Sequence, residues 1–108
     1  MTTKELRSLV SKLRKNFPVV GKVVVLRRRR KKCSGKTNIE VKYSAWTFRI
    51  YIDSLQDKGS QIDALLHEWA HIIAIQEACD HQGRWATAYG EIYTAWECGF
   101  SSKDNSAS

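Results

Sequence analysis

His67, Glu68 and His71 stand in the order H-E-x-x-H, inside Leu65-Leu66-His67-Glu68-Trp69-Ala70-His71-Ile72-Ile73. On a helix, residues four apart project from one face, so both imidazoles reach a single metal ion. A catalytic zinc takes three protein ligands and keeps one position open for water; the helix supplies two of the three. Glu68 lies beside them, placed to take a proton from that water. The chemistry is that of a zinc-dependent hydrolase, with a peptidase as the first reading. Short patterns recur by accident, so the flanks decide. At about 100° per residue, Ile62, Leu66, Trp69 and Ile73 form one apolar stripe with Leu65 on its edge. The face carrying the histidines also holds Ala64, Ala70, Ala74 and Ile75. A helix apolar on both faces is buried, and buried histidines need partners. The competing reading is a core helix whose histidines bond to backbone; motif and flanks together favour the metal.

The third ligand must come from elsewhere in the chain. His81 is the remaining histidine and falls in the short turn Cys79-Asp80-His81-Gln82-Gly83, where the chain can double back. Asp80 is an alternative, as a ligand or as a hydrogen-bonded support for a ligand histidine. Glu91 is a second rival, although it lies roughly 120° from Trp85 and its stripe on the last helix. Cys79 is the weakest candidate. A surface histidine in a polar loop is the plain alternative for His81.

The elements that position these residues are legible in outline. Thr2 and Glu5 cap a first helix in which Leu6, Leu9, Val10, Leu13 and Phe17 recur at helical spacing, and Pro18 closes it. Residues 19–26 are rich in valine and read as a buried strand. Ile39, Val41 and Tyr43 alternate, then Trp46, Phe48, Ile50 and Ile52 alternate in the opposite parity. Two antiparallel strands, 38–44 and 46–53, follow, with a tight hairpin or bulge at Ser44-Ala45. The second of them is expected to border a substrate groove, its edge open to pairing with an extended peptide. Ser60 and Asp63 are expected to cap the central helix, which ends near Ala78. Trp85, Ala88, Tyr89, Ile92 and Trp96 stripe a last helix that stops at Gly99. The expected fold is α+β and zincin-like: an N-terminal helix, a three-stranded, mostly antiparallel sheet, the H-E-x-x-H helix and a C-terminal helix. Residues 1–100 make one domain and 101–108 a disordered tail.

Hydrophobic residues are 43% of the 108 and charged ones 27%, the balance of a globular chain. No apolar run has the length of a membrane span, and the N-terminus lacks the core of a signal peptide. Three cysteines without a C-x-x-C pair argue against a disulfide framework and a zinc ribbon, and for an intracellular setting. Net charge is +7, of which Arg27, Arg28, Arg29, Arg30, Lys31 and Lys32 supply six, leaving +1 for the rest. Such a tract binds polyanions, DNA or RNA first, or else merely solvates a loop or guards an edge strand. Gly35-Lys36-Thr37 lacks the upstream glycine of a phosphate-binding loop.

Leu65-Leu66-His67-Glu68-Trp69-Ala70-His71, then Asp80-His81-Gln82-Gly83-Arg84-Trp85 and Ala88-Tyr89, resembles the SprT-like (Spartan-type) metallopeptidases across roughly residues 48–96. The resemblance implies one zinc per chain on His67, His71 and His81, Glu68 as catalytic base, and Trp85 packed behind the site. In that family a glycine follows the third histidine directly, whereas here Gln82 intervenes. The implied activity is endoproteolysis, in the best-known members directed at proteins crosslinked to DNA. The expected setting is cytoplasmic, or associated with nucleoid or nucleus. The expected partners are a protein or peptide substrate and DNA or RNA on the tract, with no membrane. The alternative is a basic nucleic-acid-binding module that zinc only braces.

Overall fold

The computed structural model describes residues 1–28, 35–42, 45–77 and 83–100, with the backbone alone at 28, 35–42, 45 and 77. Helix α1 (Thr3–Asn16) starts at a capping box: the Glu5 N–H donates to Thr2 Oγ1 at 3.0 Å, and the Thr2 N–H to Glu5 Oε1 at 2.9 Å. Leu6, Leu9 and Leu13 are its buried stripe. Phe17 closes the helix with its N–H on the Leu13 carbonyl, and its own carbonyl accepts from Trp69 Nε1 at 2.9 Å. That bond fixes the end of α1 against the central helix.

The sheet departs from the expected fold class. Strands β1 (Lys22–Arg28), β2 (Gly35–Lys42) and β3 (Ala45–Asp53) lie in the order β1-β3-β2. β2 pairs antiparallel with β3, Lys42 opposite Ala45, but β1 pairs parallel with β3, Val25 opposite Ile50. The expectation of a mostly antiparallel, zincin-like sheet is therefore corrected to a mixed one. The reason is burial: Phe48, Ile50 and Ile52 are all 0% exposed, so β3 takes the centre and has a neighbour on each side. Alternation tells which face of a strand is buried, not which strand occupies the middle. The same order overturns the expected peptide pairing on β3, because both its edges are taken. Residues 43–44, where the hairpin or bulge was expected, lie outside the described residues.

The strand expected over 19–26 is shifted and only half-buried. Val20 is 71% exposed, and its backbone is clasped by Gln76, which accepts the Val20 N–H at 2.9 Å and donates to its carbonyl at 2.6 Å. Gly21 then turns into β1 with φ +99°, where a Cβ would sit 2.4 Å from the Trp46 carbonyl oxygen. Only glycine fits both that angle and that approach. Arg27 and Arg28 end β1.

Helix α2 (Lys58–Glu77) carries Leu65, Leu66, Trp69 and Ile72 fully buried against the sheet. Its cap is Asp57 rather than Ser60: the Ser60 N–H donates to Asp57 Oδ1 at 3.1 Å, and the Gln61 N–H to the Asp57 carbonyl at 3.0 Å. Bonds from the Ser60 side chain and backbone hold the Asp57 carboxyl below the ordinary aspartate range. Helix α3 (Gly83–Glu97) packs on α2 through Ala88 and Ile92. After Gly99 (φ +64°), the Phe100 N–H returns to the Ala95 carbonyl at 2.7 Å, and the Phe100 ring, 2% exposed, completes the core. Among the described residues no helix is long and apolar enough to cross a membrane.

Candidate metal centre

The i, i+4 spacing of His67 and His71 brings their Nε2 atoms to 3.1 Å from each other. Two nitrogens each about 2.0–2.1 Å from one zinc, at the tetrahedral angle, are about 3.4 Å apart. The pair is thus held close to the spacing that one metal demands. Glu68 Oε2 lies 4.0 Å from His67 Nε2, and donor atoms of all three residues fall within 4.8 Å of one another. The His67, Glu68, His71 group could hold a metal ion. Its donor chemistry fits, since two imidazoles and one carboxylate gathered at one point are best neutralised by a cation. The site is graded in exposure: the His67 side chain is 40% exposed, whereas that of Glu68 is 10%. A ligand reaches the histidines from solvent, while the carboxylate works from behind them.

α3 lays a row of aromatic rings along this face. Trp85 meets His67 edge-on at a centroid distance of 4.9 Å and stacks on His71 at 5.1 Å and 17°. Its indole N–H also donates to the His67 carbonyl at 3.3 Å. Tyr89, one turn on, stacks on Trp85 at 5.6 Å and meets His67 edge-on at 5.6 Å. The Tyr89 hydroxyl donates to Asp63, which sits one turn before His67 on α2. Burial first, then that bond and the Asp63 charge, push the phenol up to about 12. Tyr93 and Trp96 continue the row, and beyond Tyr89 the seam opens into a cleft of about 340 Å³ lined by Asp57, Ser60, Asp63, Tyr93 and Trp96. The polar row Ser60, Asp63, His67, His71 thus runs antiparallel to the aromatic row Trp85, Tyr89, Tyr93, Trp96.

His67, Glu68 and His71, expected to act together, are brought together. His81 and Asp80 lie outside the described residues, as does Cys79. Glu91, the rival ligand, is an exposed residue paired with Arg84 at 3.6 Å. It is not part of the histidine group. Of the basic tract, the Arg27 guanidinium donates to the Met1 carbonyl and, at 3.0 Å, to Thr3 Oγ1. Arg29, Arg30, Lys31 and Lys32 lie outside the described residues, and of Arg28 only the backbone is described. The Asp63–Tyr89 bond is the feature that sequence reasoning missed. Asp63 looked like a capping residue, and only its i, i+4 relation to His67 hinted at more. Comparison with protein-family models, curated proteins and solved structures finds no match.

Proposed function

We propose that the chain is a zinc-dependent endopeptidase of SprT-like (Spartan) type, with one zinc on His67, His71 and His81. The convergence of two Nε2 atoms at 3.1 Å, with a buried carboxylate beside them, carries the reading. Zinc bound there supplies a Lewis acid and brings the pKa of water towards neutrality. The chain's own residues do the rest. His67 and His71 bind through Nε2, their rings held by Trp85. Glu68 receives the proton of the attacking water on its carboxylate and delivers it to the leaving amide nitrogen. Trp69 and Leu65, both fully buried, keep bulk water from the rear of that carboxylate's helix. His81 precedes Trp85 by four residues, a span of at most about 14 Å of extended chain. Since the Trp85 ring touches both histidines, that span supports His81 as third ligand. An intracellular peptidase acting on nucleic-acid-associated proteins suits the tract Arg27 to Lys32.

The test is zinc stoichiometry by elemental analysis together with cleavage of an unfolded protein substrate. We expect about one zinc per chain, lost in His67→Ala and weakened in His81→Ala. Glu68→Gln is expected to keep the metal and lose cleavage. Cleavage surviving in Glu68→Gln would overturn the mechanism. Zinc bound with no cleavage of any substrate would turn the reading to a braced nucleic-acid-binding module.

A further inference from the structure

Thr3, Arg7, Ser11 and Arg14 occupy one face of α1, in steps of roughly 4.5–6 Å along the helix axis. All four are exposed, and all line one groove of about 470 Å³ between α1 and the edge strand β1. Its floor is Leu6, Val10 and Val25; no acidic residue is among its lining residues. Every charged or polar side chain on the groove is therefore a hydrogen-bond donor, hydroxyl and guanidinium in alternation. Among the described residues no carboxylate pairs with Arg7 or Arg14. α1 carries five cations and a single acid, Glu5. Glu5 is engaged by Lys58, chiefly through a hydrogen bond that brings its carboxyl down to about 2. The groove also meets the basic tract directly, because Arg27 donates to Thr3.

We propose that this α1–β1 groove binds the phosphodiester backbone of a single-stranded nucleic acid, which the basic tract then continues. Guanidinium forks match phosphate oxygens in pairs, hydroxyls take the intervening ones, and the apolar floor receives sugar faces. One helix and one strand edge leave a channel for one chain, not two. The inference is independent of the peptidase reading, since it concerns a different face and is read by binding alone.

The experiment is fluorescence anisotropy of the full chain with labelled oligothymidylate and oligouridylate about 12 nucleotides long, within the usual range of single-strand site sizes. A duplex and poly-glutamate serve as comparison probes, across a salt series. In R7Q/R14Q, whose helix content is checked by circular dichroism, we expect at least tenfold weaker binding. The slope of log affinity against log salt should fall by about 1.4, or 0.7 per lost phosphate contact. R7K/R14K should keep the slope. Unchanged affinity and slope in R7Q/R14Q would overturn the proposal. So would poly-glutamate bound as tightly as the oligonucleotides, a preference for duplex, or no binding by the native chain at low salt.

Discussion

Replacing Trp85 with alanine removes the wall against which both metal-binding histidines are set. The ring makes two contacts with them, at 4.9 and 5.1 Å, the second nearly parallel. Aromatic pairs of this kind contribute about 0.5–1.5 kcal/mol each, so together about 1–3 kcal/mol. The indole N–H bond to the His67 carbonyl, at 3.3 Å, is long and adds little. If that energy serves to hold the imidazoles in their binding orientation, its loss appears in metal affinity. At about 1.4 kcal/mol per tenfold, the expected weakening is roughly 5–150-fold. Loss of a group that supports a ligand histidine ordinarily costs about 10–100-fold, which agrees. Competition titration of zinc against a chromophoric chelator measures it, with unfolding of the metal-free protein followed separately by circular dichroism. Trp85→Phe keeps a ring in place and should stay within about threefold of the native chain. A folded Trp85→Ala variant that binds zinc as tightly as the native protein would refute the reasoning, leaving α2 alone to orient its histidines.

Glu68→Gln should lower kcat/KM by about 10²–10⁴-fold, the usual share of a general base, with zinc retained in elemental analysis. Asp63→Asn should bring the Tyr89 phenol down from about 12 towards its ordinary value, read from the Tyr89 ring carbon shift in an NMR pH titration. The sign follows from the raised folded value. The stabilising contribution of protonated Tyr89 is complete below the unfolded phenol range near pH 10. It is lost as pH rises through about 12. Gly21→Ala should destabilise the fold by more than about 1–2 kcal/mol in urea unfolding, because φ +99° and the Trp46 carbonyl both oppose a Cβ.

Local rules carried the sequence reading where partners are close along the chain. The Thr2–Glu5 box and the buried stripe Leu6, Leu9, Leu13 follow from helical spacing alone. So does the meeting of His67 and His71, because four residues are one turn wherever the helix sits. Even local rules misled where two choices were near-equal. Asp57 and Ser60 are both good caps, and the helix begins one turn earlier than the Ser60 reading placed it.

What the sequence by itself determined is the metal-binding pair with its carboxylate, along with the order of helices that carries it. The tertiary structure decided everything that depends on which distant segments meet. β3 took the centre of the sheet because its three core residues leave no exposed edge, which set β1 parallel beside it and closed β3 to an incoming peptide. Packing of α3 on α2 turned a plain aromatic stripe into the wall behind His67 and His71, and a presumed capping aspartate into the partner of Tyr89. The seating of α1 beside β1 turned Arg7 and Arg14, two solvated cations in the sequence, into neighbours along one groove. Periodicity reports which face of an element is buried. Only packing reports against what, since contacts between distant segments are chosen by the burial of the whole core at once.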